Sequence, residues 1–140
     1  MERTLVVVDA ANVVGSVPDG WWRDRAGATV RLRDALATVD LTRLAGGPTE
    51  VVLVTEGRAA GVPAIDGVRV EPADGSGDDA IVAMVRDECR DGRDCLVVTA
   101  DRALRERVTA LGARVVGPGA LGLPRRGGRP GGARTTEGAP

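Results

Sequence analysis

Short, unbroken apolar runs recur along this chain, and each ends abruptly at a polar residue. Leu5 to Val8 is continuous, mostly β-branched, and stops at Asp9; such a run marks a strand covered on both faces, as in a parallel sheet. Val51 to Val54 and Leu96 to Val98 repeat the pattern, Val68 and Val70 flank Arg69 in the alternation of a more exposed strand, and Arg114 to Val116 supplies a short fifth. Between these runs the period changes to that of helices. Leu32, Ala35, Leu36 and Val39 fall on one helical face, as do Ile81, Val82, Val85 and Cys89, and then Leu104, Val108 and Leu111. Gly46-Gly47-Pro48, Asp91-Gly92 and Gly112 are the expected stops. The order β-α-β-β-α-β-α-β predicts an α/β fold: a three-layer sandwich with a mainly parallel central sheet of about four to five strands and right-handed crossovers. The third strand is expected to depart from the parallel arrangement, because Thr55 to Gly67 carries little helical pattern.

Composition narrows this to one domain. The chain has 140 residues, 43% of them apolar, enough for one core but not two. The core must be aliphatic, since Phe and Tyr are absent and Trp21 and Trp22 are the whole aromatic content. The domain is placed at residues 1–118 and a disordered Gly/Pro/Arg-rich tail at 119–140. Arg125, Arg126, Arg129 and Arg134 against Glu137 make that tail basic, whereas the rest of the chain is acidic and the net charge is -1. No apolar stretch approaches the ~20 residues of a membrane span, and Met1-Glu2-Arg3-Thr4 is not a signal-peptide pattern, so a cytoplasmic location is expected. Cys89 and Cys95 are too few and wrongly spaced for a disulfide framework or zinc site and are expected to be two reduced thiols.

The missing residue types exclude several chemistries. There is no Lys and no His. A haloacid-dehalogenase-like phosphatase, a receiver domain and a P-loop nucleotidase all need a Lys near their acids or phosphates. Serine or cysteine triads need His. The segment Asp9-Ala10-Ala11-Asn12-Val13-Val14 is not the Gly-rich turn of a dinucleotide-binding fold.

The acids carry the positive indication. In a parallel α/β sheet, residues just past the strand C-termini collect at one edge, where such folds bind ligands. Asp9, Glu56 and Asp101 each sit just past an apolar strand. Asp78 and Asp79 open the helix that leads into Leu96 to Val98, and a helix leading into a parallel strand begins at that same edge. Asp78 and Asp101 also suit helix N-caps. Asp9 has no helix predicted directly after it, so its charge needs another partner. Like charges at ~4 Å cost on the order of 4 kcal/mol at an effective dielectric near ~20. A hard cation offsets that repulsion, and oxygen-only ligands favour Mg²⁺ or Mn²⁺ over Zn²⁺.

Three blocks resemble a known family: Val6-Val7-Val8-Asp9-Ala10-Ala11-Asn12-Val13-Val14-Gly15, Gly77-Asp78-Asp79-Ala80-Ile81, and Val97-Val98-Thr99-Ala100-Asp101. Together, over residues 4–118, they look like the NYN domain of the PIN-like nuclease superfamily, in its YacP-like branch. Ala11 stands where an aromatic commonly precedes the Asn in that branch. The resemblance implies a PIN-like sandwich and metal-dependent, endonucleolytic cleavage of RNA. It implies Asp9, Asp78 and Asp101 as ligands of Mg²⁺ or Mn²⁺, Asn12 as part of the first-strand signature, and Glu56 as the acid after the second strand. Asp79 is a candidate for a second ion or a general base, and Thr99 for orienting ligands. Trp21 and Trp22 with Arg23 and Arg25 suit the stacking of single-stranded bases, and Arg58 or Arg23 a phosphate; the alternative for both indoles is to close the core beneath a loop. Three other functions remain open: a non-catalytic RNA- or ribosome-binding module, a toxin-like nuclease held by a regulatory protein, and hydrolysis of free nucleotides.

Overall fold

The computed structural model describes residues 2–18 and 20–123. Its elements, in chain order, are β1 (Thr4–Asp9), α1 (Ala10–Gly15), a 3-10 turn (Trp21–Arg23), α2 (Arg25–Leu36), α3 (Thr42–Ala45), β2 (Thr49–Thr55) and a second 3-10 turn (Gly57–Ala59). There follow β3 (Val68–Pro72), α4 (Gly77–Glu88), β4 (Cys95–Val98), α5 (Arg102–Thr109), β5 (Arg114–Val116) and a last 3-10 turn (Pro118–Leu121).

The five strands form one sheet in the order β3-β2-β1-β4-β5, and every pairing is parallel. The β3 pairing corrects the expectation of a divergent third strand. The link before it is made from the 3-10 turn and a small antiparallel bridge between Ile65 and Val68. Central position explains the unbroken apolar run of β1: Leu5, Val6, Val7 and Val8 are all 0% exposed, and burying such side chains contributes about 1.5–3 kcal/mol each.

Strand alternation sends these residues to two different cores. Val6 and Val8 join Val51 and Leu53 beneath α1, α2 and α3, with Val13, Ala28, Leu32, Leu36 and Ala45 as the facing residues. Leu5 and Val7 join Val52, Val54 and Val97 beneath α4 and α5, against Ile81, Val85, Leu104 and Val108. The route from β1 to β2 therefore covers one face, and the routes into β4 and β5 cover the other. Because those connections diverge from the middle of the sheet, a crevice opens between the C-terminal ends of β1 and β4. That switch in direction is where open α/β sheets take ligands.

Several local expectations are revised. The first predicted helix is two, α2 and α3, and Gly46, at φ 87°, terminates only the second. The packed unit also runs past residue 118, because Leu121 is 2% exposed and belongs to the first core. Residues 124–140, with the rest of the expected tail, lie outside the described residues. Cys89 and Cys95, expected as two reduced thiols, lie side by side with Cα atoms 6.2 Å apart, a separation that a disulfide can span. No helix among the described residues is long and apolar enough to cross a membrane.

Charges at the opposite, N-terminal edge of the sheet are paired. Arg69 binds Glu88 through two bonds of 2.9 Å, Arg93 binds Glu50 at 2.6 Å, and Arg114 binds Asp94. Hydrogen bonding to these arginines holds the Glu50 and Asp94 carboxyls below their ordinary range. This edge neutralises its acids within the protein.

Candidate functional site

The crevice edge is built differently. Asp9 ends β1 and is only 4% exposed. It is also the N-cap of α1, because Oδ1 accepts the Asn12 N–H at 3.3 Å; the expectation that no helix follows it is corrected. Its other oxygen, Oδ2, accepts the Thr99 hydroxyl at 2.9 Å. Burial pushes the Asp9 carboxyl above its ordinary range, the bonds from Thr99 and Asn12 oppose that shift, and the charges of Asp78 and Glu56 add to it.

Thr99 and Asn12 fasten the loop after β4 to the end of β1. The Thr99 oxygen that donates to Asp9 also accepts the Asp101 N–H at 3.1 Å. Asn12 Oδ1 accepts the Ala100 N–H at 2.8 Å, so its amide clamps the backbone of the loop. Asp101 caps α5 by accepting the Leu104 N–H at 3.0 Å. Arg105, one turn further along α5, donates to the Thr99 carbonyl at 2.8 Å.

Asp78 stands in the first turn of α4 without the duty of capping it, which falls to Ser76. Among the described residues its carboxylate has no hydrogen-bond partner. Burial raises its pKa, followed by repulsion from Asp101 and Glu56, with Arg107 opposing. Glu56 reaches across from the end of β2, and its Oε1 accepts the Gly77 N–H at 2.9 Å. The absence of a side chain at Gly77 permits this approach, because a Cβ there would collide with the Glu56 carboxylate. Asp79 is turned toward α5 and pairs with Arg107 at 3.0 Å.

Asp9, Glu56, Asp78 and Asp101 therefore share one edge and act on one another electrostatically, whereas Asp79 is already paired. Among the described residues no three of these acids close to ligand spacing around a single point. The edge is an electronegative crevice, not a finished coordination cage. Its donor set still suits a hard divalent cation: all donors are oxygen, Asp78 is unpartnered among the described residues, and the burial and neighbouring acids that lift Asp9 and Asp78 both disfavour a charge that a cation would offset.

The basic and aromatic candidates lie beside this crevice. Trp21 is half-buried and packs on the first core, as the alternative for it foresaw. Trp22 is 56% exposed and meets Trp21 edge-on, with ring centroids 6.1 Å apart and planes at 87°. Arg23 lies over Trp22 at 5.7 Å and Arg25 over Trp21 at 5.3 Å. Arg58 is exposed in the turn that follows Glu56.

Sequence reasoning missed Arg105, Arg107 and Ser76. A helical spacing of four from Asp101 pointed to Arg105, and a Ser three residues before Asp79 is an ordinary cap signal. Nothing in the sequence pointed to the Arg107–Asp79 pair, which depends on how α4 and α5 dock.

No protein-family model matches the chain, and no curated protein matches its sequence. Solved structures do. The crystal structure of Rae1 (YacP) from Bacillus subtilis superposes with a TM-score of 0.66 at 17% identity, over 86% of this chain and 71% of that one. Its W164L mutant superposes with a TM-score of 0.67, also at 17% identity, over 85% of this chain and 72% of that one. With its five-stranded parallel sheet flanked by helices on both faces, the chain thus has the α/β fold seen in Rae1 (YacP).

Proposed function

We propose that this protein is a Mg²⁺- or Mn²⁺-dependent ribonuclease that hydrolyses phosphodiester bonds within RNA at the crevice between β1 and β4. The observation that carries the reading is the convergence of Asp9, Glu56, Asp78 and Asp101 on the C-terminal edge of the sheet at its switch point, with the Asp78 carboxylate unpartnered among the described residues. Acids held solely for stability would be expected to be paired, as they are at the opposite edge. The fold shared with Rae1 (YacP) supports the same reading.

Asp78 and Asp101, each with a carboxylate oxygen free of hydrogen bonds among the described residues, would hold the ion together with Asp9, and Glu56 would tune their charge. A bound divalent ion activates water and neutralises the phosphate oxygens. The protein's own part is positional. Thr99 and Asn12 keep Asp9 and the loop to Asp101 in register, and burial of Asp9 keeps its carboxylate from moving. Arg107 holds Asp79 aside, which leaves Asp78 as the acid of α4 directed to the crevice.

The test is cleavage of single-stranded RNA by the purified chain with Mn²⁺, compared with Asp78→Asn. Loss of turnover by at least about 100-fold with an unchanged circular dichroism spectrum is expected, in line with the large effects of removing groups that stabilise developing charge. Wild-type turnover in Asp78→Asn would remove the assignment. Ion-dependent binding of RNA by the wild type without strand scission would favour the non-catalytic module instead.

A further inference from the structure

We propose that a pocket beside the acidic crevice binds one nucleotide of a single-stranded nucleic acid, with its base on Trp22 and its phosphates on Arg23, Arg25 and Arg58. The pocket has a volume of about 380 Å³ and is lined by Trp22, Arg23, Asp24, Arg25, Ala26 and Arg58. That volume falls within the range of sites for small ligands. The inference deepens the ribonuclease reading by giving the substrate strand a second place of attachment.

The pocket has three properties of a stacking site. Its cations are available: among the described residues, Arg23, Arg25 and Arg58 make no ion pair, whereas six of the twelve other arginines do. Its single acid, Asp24, is occupied in capping α2 by accepting the Gly27 N–H at 2.9 Å. Its aromatic is presented to solvent, since Trp21 packs beneath and carries Trp22 at 56% exposure. An exposed indole beside guanidinium groups that make no ion pair among the described residues matches the alternation of flat base and charged phosphate along a single strand.

The walls are also fixed relative to the acids. Arg58 follows Glu56 by two residues in a 3-10 turn, and Arg33 of α2 donates to the Pro63 carbonyl at 2.9 Å, which ties that loop against the helix. On the other side, the turn bearing Trp22 follows α1, whose cap is Asp9. A strand seated in the pocket therefore runs beside the crevice. Whole-molecule attraction cannot substitute for this local patch, because the chain carries a net charge of -1.

The experiment titrates the full chain, in EDTA, with a fluorescently labelled single-stranded oligoribonucleotide that is 2′-O-methylated and so cannot be cut. With two Trp and no Tyr, the chain's intrinsic emission reports only Trp21 and Trp22. Quenching on binding is expected, with at least about fivefold weaker binding and loss of most of the quench in Trp22→Leu. Arg58→Ala is expected to weaken binding and to lower the slope of log K against log salt by about 0.7. Both side chains are exposed, so neither change touches the core. Wild-type affinity in both variants would overturn the pocket. A chain that fails to cut RNA but binds through Trp22 keeps the pocket and loses only the nuclease reading.

Discussion

The Thr99 hydroxyl donates to Asp9 Oδ2 at 2.9 Å and so joins the ends of β4 and β1 across the crevice. The same oxygen accepts the Asp101 N–H. Thr99→Val keeps the branched shape but leaves a buried carboxylate oxygen and a backbone N–H without partners. It is expected to cost about 1–3 kcal/mol of stability at neutral pH and to reduce cleavage, whereas Thr99→Ser retains most of both. Urea denaturation of the two variants decides this, and equal stability of Thr99→Val and wild type would dismiss the link.

Asp78→Asn separates charge from structure through its pH dependence. The Asp78 carboxyl titrates above its ordinary value of 3.8 in the folded chain, so the folded state holds this proton more tightly than the unfolded state does. Its charge therefore destabilises the protein above the raised pKa, and that penalty disappears as pH falls through it toward 3.8. The stability advantage of Asp78→Asn over wild type should be greatest near neutral pH, shrink on acidification, and shrink in high salt. A difference that does not vary with pH would show that the folded chain places no net penalty on the Asp78 charge.

Metal addition should act on the same repulsion. With the ion at about 100 times Kd, wild type is expected to gain about 2.7 kcal/mol, and Asp78→Asn and Asp101→Asn considerably less. Thermal denaturation in Mn²⁺ against EDTA, at matched ionic strength, measures it. Equal gains in all three proteins would place the ion elsewhere.

Gly77→Ala reverses the usual preference of helices. An added methyl group ordinarily favours a helix by up to about 1 kcal/mol, yet here it displaces the Glu56 carboxylate from the N-terminus of α4. A net destabilisation is expected. In a Glu56→Ala background the same change should be neutral or favourable, and the difference between the two backgrounds is the coupling between the residues. Additive effects would contradict the contact.

Much of the fold was legible because its signals are local. The runs at Leu5, Val51 and Leu96 could be nothing but buried strands once helices were found between them, and the common edge of Asp9, Glu56, Asp78 and Asp101 follows from a parallel sheet. Shorter features escaped. Ala10 to Gly15 is one and a half turns of helix, too brief for a period to register, so the capping role of Asp9 was hidden. The sense of β3 was misjudged because Thr55 to Gly67 reverses the chain without a regular helix. Glu56 was placed correctly, but its bond to Gly77 depends on packing across the crevice. The pocket of Trp22 and Arg58 joins residues 36 positions apart, and only the docking of α2 on the following loop brings them together.

The four acids at the crevice come from four separate elements: the ends of β1 and β2 and the starts of α4 and α5. None of them can meet the others until the sheet has closed around β1. A nascent chain that has not yet emerged as far as Asp101, or a proteolytic fragment lacking either half, would carry the individual acids without the crevice they line. Any chemistry that depends on the crevice is thereby confined to the fully assembled molecule.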